Sequence, residues 1–496
     1  MADINIVYVN AAFIQIKADP STLMDLCEAF TYKADNYRFH PKFKLGIWDG
    51  NISLINRVTG MAYAGLAHDI VKQAESRNYT VSLDQRLVVK SDVTRAEVVE
   101  FINKLNLPEW LEIRDYQIDS ILTCIQSKRL TLISPTSSGK SFMIYVIMRW
   151  FNEKALIIVP TVGLVKQMVS DFHEYGYSGN LSTSIDGLDK SNDIQADGVV
   201  TTWQSLDNGK TKKPKEWYSQ FGIVFGDEAH GAKATTLIKI FTNMTDTYYR
   251  FGTTGTLQSG TITRATIKGL FGPIYTSTTS RELIDSGYAA NIKIKCIVLD
   301  YSKEIKKSFN IKEKDLDGKL VKKSYAQEIS FINSLMCRTE FIRKLTKSLN
   351  GNKLVFFRYT DHGKQLYDSL SQHMKCYYID GKVDANTREQ IRKSVENNDE
   401  IALVASLGTT STGTSIKKLH HMIAAAPQKS ETKVPQAIGR MMRQHSEKNE
   451  AYLYDIVDNF STSKSNMNFA LKHFYDRVKM YERDGFEYQI YTVSIK

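Results

Sequence analysis

Apolar and polar positions alternate along this chain in blocks rather than singly. From Arg114 onward, short β-rich apolar runs are separated by stretches with helical spacing. The runs are Leu130–Ile133, Ala155–Val159, Val199–Thr202 and Ile223–Phe225. A strand buried on both faces reads as a continuous apolar run, and strands alternating with helices predict a parallel sheet wrapped by helices. A second series follows, with runs at Ile292–Leu299, Leu354–Phe357, Cys376–Ile379, Ile401–Ala405, His421–Ala425 and Ala451–Ile456. The expected fold class is therefore α/β, with two parallel-sheet domains in tandem.

The first part of the chain reads differently. Ile4–Val9 and Ala12–Ile16 have the mixed alternation of strands, and Ser21–Tyr32 reads as an amphipathic helix with Ser21 or Thr22 near its cap. The stretch Tyr37–Gly50 interleaves aromatic and basic residues, Asp49-Gly50 is a hairpin-turn signal, and Ile52–Ile55 is the expected return strand. Two readings fit this arm. In one, Arg38, Lys42 and Lys44, with Trp48, contact nucleic acid, since aromatic rings stack on bases while cations meet phosphates. In the other it is a small core with a solvated basic edge. The expected boundaries are a small α+β accessory domain over 1–88, a connector over 89–112 with a helix from Thr94 to Leu105, and parallel-sheet domains over 113–288 and 289–460. The lysine-rich stretch 302–330 is expected to be a solvated insertion, and 461–496 a helical segment centred on Ser465–Glu482.

Composition sharpens the choice of partner. The chain has 496 residues and a formal charge of +11, with 42% hydrophobic and 24% charged residues. That is ordinary for a globular protein, and the basic balance favours a polyanion. The five cysteines are scattered without a CxxC pair, which fits reduced thiols and no zinc site. No run of about 18 apolar residues is present, so a membrane span is not expected. A cytoplasmic location follows as an expectation.

The candidate chemistry sits at the ends of apolar runs. Ser134-Pro135-Thr136-Ser137-Ser138-Gly139-Lys140-Ser141 follows one run and precedes a helical stretch. Strand, loop and helix is the context in which backbone N–H groups cradle phosphates, with Lys140 meeting the β- and γ-phosphates and Ser141 ligating Mg²⁺. Ser134 stands where the general pattern has glycine. Asp227-Glu228-Ala229-His230 follows Ile223-Val224-Phe225-Gly226. A carboxylate there reaches the same crevice. Asp227 suits Mg²⁺, and Glu228 suits the activation of a water. Further on, Gln436, Arg440 and Arg443 share one helical face, an arrangement suited to a γ-phosphate.

The ordered set resembles the superfamily-two helicases, over about residues 110–460. Arg114-Asp115-Tyr116-Gln117 is similar to the family's adenine-reading segment, with Gln117 as base reader. Ser134–Ser141 resembles its first motif, and Asp227–His230 the DEAH form of its second. Gly252-Thr253-Thr254-Gly255-Thr256 resembles the third, and Gln436–Arg443 the sixth. The resemblance implies two RecA-like domains, with ATP and Mg²⁺ as cofactors in a cleft that both domains complete. It implies coupling roles for His230, Thr254 and Thr256, and backbone-phosphate contacts from Pro160, Thr161, Thr202, Arg358 and Thr410. The fifth motif usually carries an acidic residue after glycine, where Ser415 stands here. The arm ahead of the motor narrows the resemblance to bacteriophage recombination and repair helicases. That implies a monomer acting on branched, duplex or single-stranded DNA and on RNA–DNA hybrids, alongside a single-strand-binding protein. The activities implied are fork regression, Holliday-junction branch migration and R-loop unwinding. The alternatives are a DExH RNA helicase, an annealing scaffold with a weak ATPase, and the motor subunit of a restriction enzyme.

Overall fold

The structure is a computed structural model. It describes residues 2–34, 37–88, 91–184, 195–207, 213–228, 234–255, 261–311, 313–314, 320–321, 323–406, 409, 416, 418–426, 450–463 and 466–495. The chain folds as two compact units, Met1–Thr278 and Thr279–Lys496.

In the first unit, the N-terminal domain contributes β1 (Ile4–Tyr8), β2 (Phe13–Ala18), β3 (Thr31–Lys33), β4 (Asn51–Ser53), β5 (Met61–Tyr63) and β6 (Val81–Leu83). A mixed sheet runs β5-β2-β1-β6, and β3 pairs with β4 as a separate antiparallel ribbon carrying the basic arm. The first helix spans Pro20–Ala29, and its cap is Asp19 rather than Ser21 or Thr22: the Asp19 carboxylate accepts from the N–H groups of both residues. The carboxylate supplies the acceptor those first-turn donors lack. Ile4, Ile6, Ile14, Ile16, Leu26 and Ile70 form the domain's core together with Ile262 and Ala265 from the helix Thr261–Phe271. That helix approaches closely because glycines face each way. A Cβ on Gly269 would meet Tyr63 at 2.8 Å, and one on Gly65 would meet the Gly272 nitrogen at 2.9 Å. The accessory domain thus shares apolar packing with the motor.

The rest of the first unit is a seven-stranded parallel sheet in the order β13-β7-β12-β11-β8-β10-β9. Its strands are β7 (Arg129–Ile133), β8 (Ala155–Val159), β9 (Leu181–Ser184), β10 (Gly198–Thr202), β11 (Ile223–Asp227), β12 (Tyr249–Thr254) and β13 (Ile274–Thr276). All five residues of β8 and of β10 are buried, which is why these runs lack alternation.

The second unit repeats the plan with seven parallel strands in the order β18-β19-β17-β20-β21-β14-β22. They are β14 (Asn291–Tyr301), β17 (Lys353–Phe357), β18 (Cys376–Ile379), β19 (Ala402–Ser406), β20 (His421–Ala424), β21 (Glu450–Asn459) and β22 (Glu487–Ile495), with a small ribbon of β15 (Glu313–Lys314) and β16 (Leu320–Val321). Two features depart from the sequence expectation. Lys303–Phe309 of the lysine-rich stretch is helical and tied to the core, because Phe309 is buried and stacks on Phe460 with centroids 4.5 Å apart. The chain end is more than a helix: after Phe469–Arg483 it adds β22, which pairs in parallel with β14 at the sheet edge. Among the described residues, no helix is long and apolar enough to cross a membrane.

Candidate nucleotide site

The parallel register of the first sheet aligns its strand ends. Ile133 lies opposite Thr254, Thr253 opposite Asp227, and Val159 opposite Thr202. Ser134, Thr254, Asp227, Pro160 and Thr202 therefore stand along one edge. In an open α/β sheet this carboxyl edge is where ligands bind.

The loop from Ser134 to Gly139 turns from β7 into the helix Lys140–Phe151. Thr136 and Ser137 cross its tip, Ser137 with φ 71°, and Gly139 has φ 81°. Gly139 has a second reason to be glycine, since a Cβ there would run into the Gln117 amide. The departure at Ser134 has a structural explanation. Its buried hydroxyl donates to Ser138 Oγ at 2.6 Å, and Ser138 Oγ donates to the Pro135 carbonyl at 2.7 Å. The hydroxyl chain closes the base of the loop, where glycine would leave a gap.

A second set of bonds braces the loop from outside. Gln117 Nε2 donates to the Ser138 carbonyl at 2.9 Å, and its Oε1 accepts from the Arg114 N–H at 3.0 Å. Tyr116 Oη donates to the same Ser138 carbonyl at 2.8 Å, and Arg114 to the Ser137 carbonyl at 3.4 Å. Arg114 and Tyr116 hold the loop, a role that spacing alone did not reveal.

Lys140 Nζ donates to the Ser134 carbonyl at 3.2 Å and lies 3.5 Å from Glu228 Oε1. Asp227, at the tip of β11, accepts from Thr253 Oγ1 at 2.6 Å. Burial pushes the Asp227 carboxyl upward, and the Glu228 charge adds to this, while Lys140 and the Thr253 hydroxyl oppose it. Glu228 sits at φ 50°, a left-handed conformation that costs a non-glycine residue energy and marks a constrained position. Its Oε2 accepts from the Gly255 N–H at 3.4 Å, so the acidic pair touches the Thr253-Thr254-Gly255 segment directly. Thr254 is buried and its carbonyl accepts from the Ser134 N–H at 2.9 Å. Ser141 Oγ meets Tyr175 Oη at 3.1 Å, and burial raises that phenol to about 12.

Two carboxylates, one ammonium and a hydroxyl thus converge at the start of a helix. The fit to a metal-bound triphosphate is good. Asp227 and Glu228 repel each other, a divalent cation would relieve that charge, and Ser141 and Asp227 are oxygen donors suited to Mg²⁺.

The other expected residues are dispersed. Thr161 caps the helix Val162–Glu174 by accepting from the Leu164 N–H at 3.4 Å, and Thr202 accepts from the Ser205 N–H at 3.3 Å. Their hydroxyls are engaged in capping, and Pro160 precedes the first of these caps. Arg358 is exposed just beyond β17, with its guanidinium 5.5 Å from the Tyr359 ring centroid. Arg38, Lys42 and Lys44 are exposed on the arm, on the short turn Tyr37–Phe39 and the helix Pro41–Lys44. His230, Thr256, Thr410, Gln436, Arg440 and Arg443 lie outside the described residues.

A phosphate loop and an Asp-Glu pair on one edge of a parallel sheet define a P-loop nucleoside-triphosphatase motor. Family models add detail. "DNA helicase UvsW, N-terminal" matches residues 3–84, "Type III restriction enzyme, res subunit" residues 110–259, and "Helicase conserved C-terminal domain" residues 337–445. The ATP-dependent DNA helicase UvsW of Enterobacteria phage T4 is 33% identical over 99% of this chain and 100% of its own length. The crystal structure of T4 UvsW matches with a TM-score of 0.52 and 31% identity, covering 99% of each chain. The DNA 3′-5′ translocase XPB2 of Sulfurisphaera tokodaii is 22% identical over 80% of this chain and 90% of its own. The chain belongs to the UvsW family of ATP-dependent DNA helicases. The restriction-subunit model matches only the first parallel-sheet domain and its approach.

Proposed function

We propose that this helicase remodels branched DNA: it regresses forks, migrates Holliday junctions and unwinds RNA–DNA loops. What carries the reading is that similarity to the T4 helicase runs through the N-terminal domain, with its basic and aromatic arm, as well as through the motor. It acts as a monomer in the host-cell cytoplasm, with a single-strand-binding protein as partner.

Lys140 neutralises the β- and γ-phosphates, and Ser141 and Asp227 hold the metal. Mg²⁺ supplies charge that offsets the negative charge developing on the phosphate oxygens. Glu228 takes the proton of the attacking water. The contact of 3.5 Å between Lys140 and Glu228 gives this base a mask. When the triphosphate arrives, Lys140 turns to it and the Glu228 carboxylate is freed. The Gln117 amide retains one N–H and one lone pair with which to read adenine. Gln436, Arg440 and Arg443 supply positive charge to the γ-phosphate. His230, Thr254 and Thr256 couple hydrolysis to strand movement, and the Glu228–Gly255 bond offers a direct route for it. Pro160, Thr161, Thr202, Arg358 and Thr410 meet the DNA backbone. Arg38, Lys42 and Lys44 contact duplex arms at the branch, beside exposed Phe39, Leu45 and Ile47.

The test is steady-state ATP hydrolysis with four-way junction, duplex, single-stranded DNA or single-stranded RNA. Junction DNA should stimulate most, and the triple variant Arg38→Ala, Lys42→Ala, Lys44→Ala should lose the junction preference and the steepness of its salt dependence. Stimulation by RNA alone would reject the reading. Point changes are preferable to deleting the domain, because its core includes residues of the motor.

A further inference from the structure

A cavity of about 310 Å³ lies where the N-terminal domain meets the base of the first parallel sheet, at the end of β7 away from the phosphate loop. Tyr8, His68, Arg86, Lys128, Arg129 and Tyr248 stand among its walls, and no described lining residue is a carboxylate. Arg86 is already neutralised, because Asp84 accepts from it at 3.0 and 2.8 Å. The other two strong cations are not. Lys128 forms no ion pair with a described residue, and its Nζ lies 5.9 Å from the Tyr248 ring centroid. Arg129 spends one Nη on the carbonyls of Ala11 and Leu270, both at 3.3 Å, and its buried Nε has no partner.

A third cation lies behind them. Arg250 is 1% exposed and donates to the carbonyls of Thr247 at 3.0 Å, Phe241 at 3.1 Å and Met244. No described carboxylate pairs with it. Burial pushes Arg129 down to about 10, and it pushes Arg250 down as well, with Arg129 adding to the effect. Guanidinium groups withdrawn from water without counter-ions are costly. Arg250 lies opposite Arg129 across the paired strands β12 and β7, and the half-buried Arg129 lines the cavity.

We propose that the cavity is a second phosphate site, separate from the ATP site, in which Lys128 and Arg129 bind a phosphate-bearing anion. The guanidinium fork and the ammonium match phosphate oxygens, the ligand supplies the missing counter-charge, and the volume accommodates a small phosphoanion. Two strands start beside the cavity and end at the nucleotide site: β7 runs from Arg129 to the phosphate loop, and β12 from Tyr249 to Thr254. Occupancy would brace the base of both. The anion is either a DNA backbone phosphate or a free phosphoanion.

The test uses full-length protein carrying Lys140→Ala, so that the phosphate loop is impaired. Inorganic pyrophosphate is titrated into it calorimetrically, then into the same protein with Lys128→Gln or Arg129→Gln. Loss of one charged hydrogen bond predicts about a tenfold weakening in Lys128→Gln. Equal affinity in all three proteins, or no binding at all, overturns the proposal. If Arg129→Gln fails to fold, Lys128→Gln decides, because Lys128 is a half-buried helix cap at φ 59° and glutamine is strained there no more than lysine. Repeating the titration with saturating duplex DNA identifies the source, and either result keeps the site: displacement marks a backbone phosphate, persistence a free anion. Binding is the readout, so failure here would leave the branched-DNA reading untouched.

Discussion

The two parallel sheets share one plan and treat their charges in opposite ways. In the first, Lys140 and Glu228 are 3.5 Å apart, with side chains 13% and 15% exposed. In the second, Arg477 holds both Asp455 oxygens at 2.9 Å with side chains 5% and 4% exposed, and Arg338 meets Asp458 at 2.8 Å with 1% and 0%. Tyr481 and Tyr301 join these buried pairs by donating to Asp455 at 3.0 Å and Asp458 at 2.7 Å. A loose pair at a strand end can exchange its partner for a phosphate or a metal. A bidentate pair sealed inside the sheet cannot, and it fixes how helix and strand pack. In the proposed function the same architecture serves chemistry in one place and cohesion in another, and only the local site tells them apart.

The sharpest way to break the comparison is to remove one cation from each sheet. Lys140→Ala should lower DNA-stimulated turnover by at least about a hundredfold while urea unfolding changes little. Arg477→Met should do the reverse, destabilising the fold by about 3–5 kcal/mol because Asp455 stays buried without its counter-charge. Its turnover should be near normal at temperatures where it remains folded. Equal stability losses in the two variants would erase the distinction.

A smaller effect is expected at Ser134. Ser134→Gly restores the residue of the general pattern but removes the hydroxyl chain through Ser138, and should cost about 1 kcal/mol in urea unfolding. The smallest effect concerns Asp227. Thr253→Val deletes the donor that opposes the upward push of burial, so the Asp227 carboxyl rises further. A raised acid favours the folded state at low pH, and that contribution is lost as pH climbs through the folded value. In the proposed mechanism it is the ionised form that would hold the metal, so the acid limb of the pH–rate profile should move to higher pH. A profile unchanged by Thr253→Val would mean that another group sets that limb.

The fold was readable where burial was extreme. β8 is apolar throughout because both its faces are covered, and β10, buried just as fully, adds only two threonines at its end. β22 was missed for the opposite reason. It is an edge strand, mostly exposed, and Glu487, Gln489 and Ser494 dilute its apolar character. At the candidate nucleotide site, spacing pointed to Lys140, Asp227 and Glu228, which the structure brings together, since chemistry restricts those residue types. It could not identify Tyr175 against Ser141, or Arg114 and Tyr116 against the loop carbonyls. Those contacts depend on where a helix end or a side chain falls in three dimensions, and many residue types would satisfy the local pattern. The partners of Asp455 and Asp458 are not legible in the sequence, because nothing local shows that Arg477 of the next helix meets the first and Arg338, 120 residues earlier, the second.

The most direct test of the central claim, that the first sheet's strand ends house the hydrolytic site, is ATP affinity and DNA-stimulated turnover measured side by side for wild type and Glu228→Gln. Loss of a general base predicts a fall in turnover of about a hundredfold to ten-thousandfold with ATP affinity kept within a few-fold. Turnover close to wild type in Glu228→Gln would contradict the account.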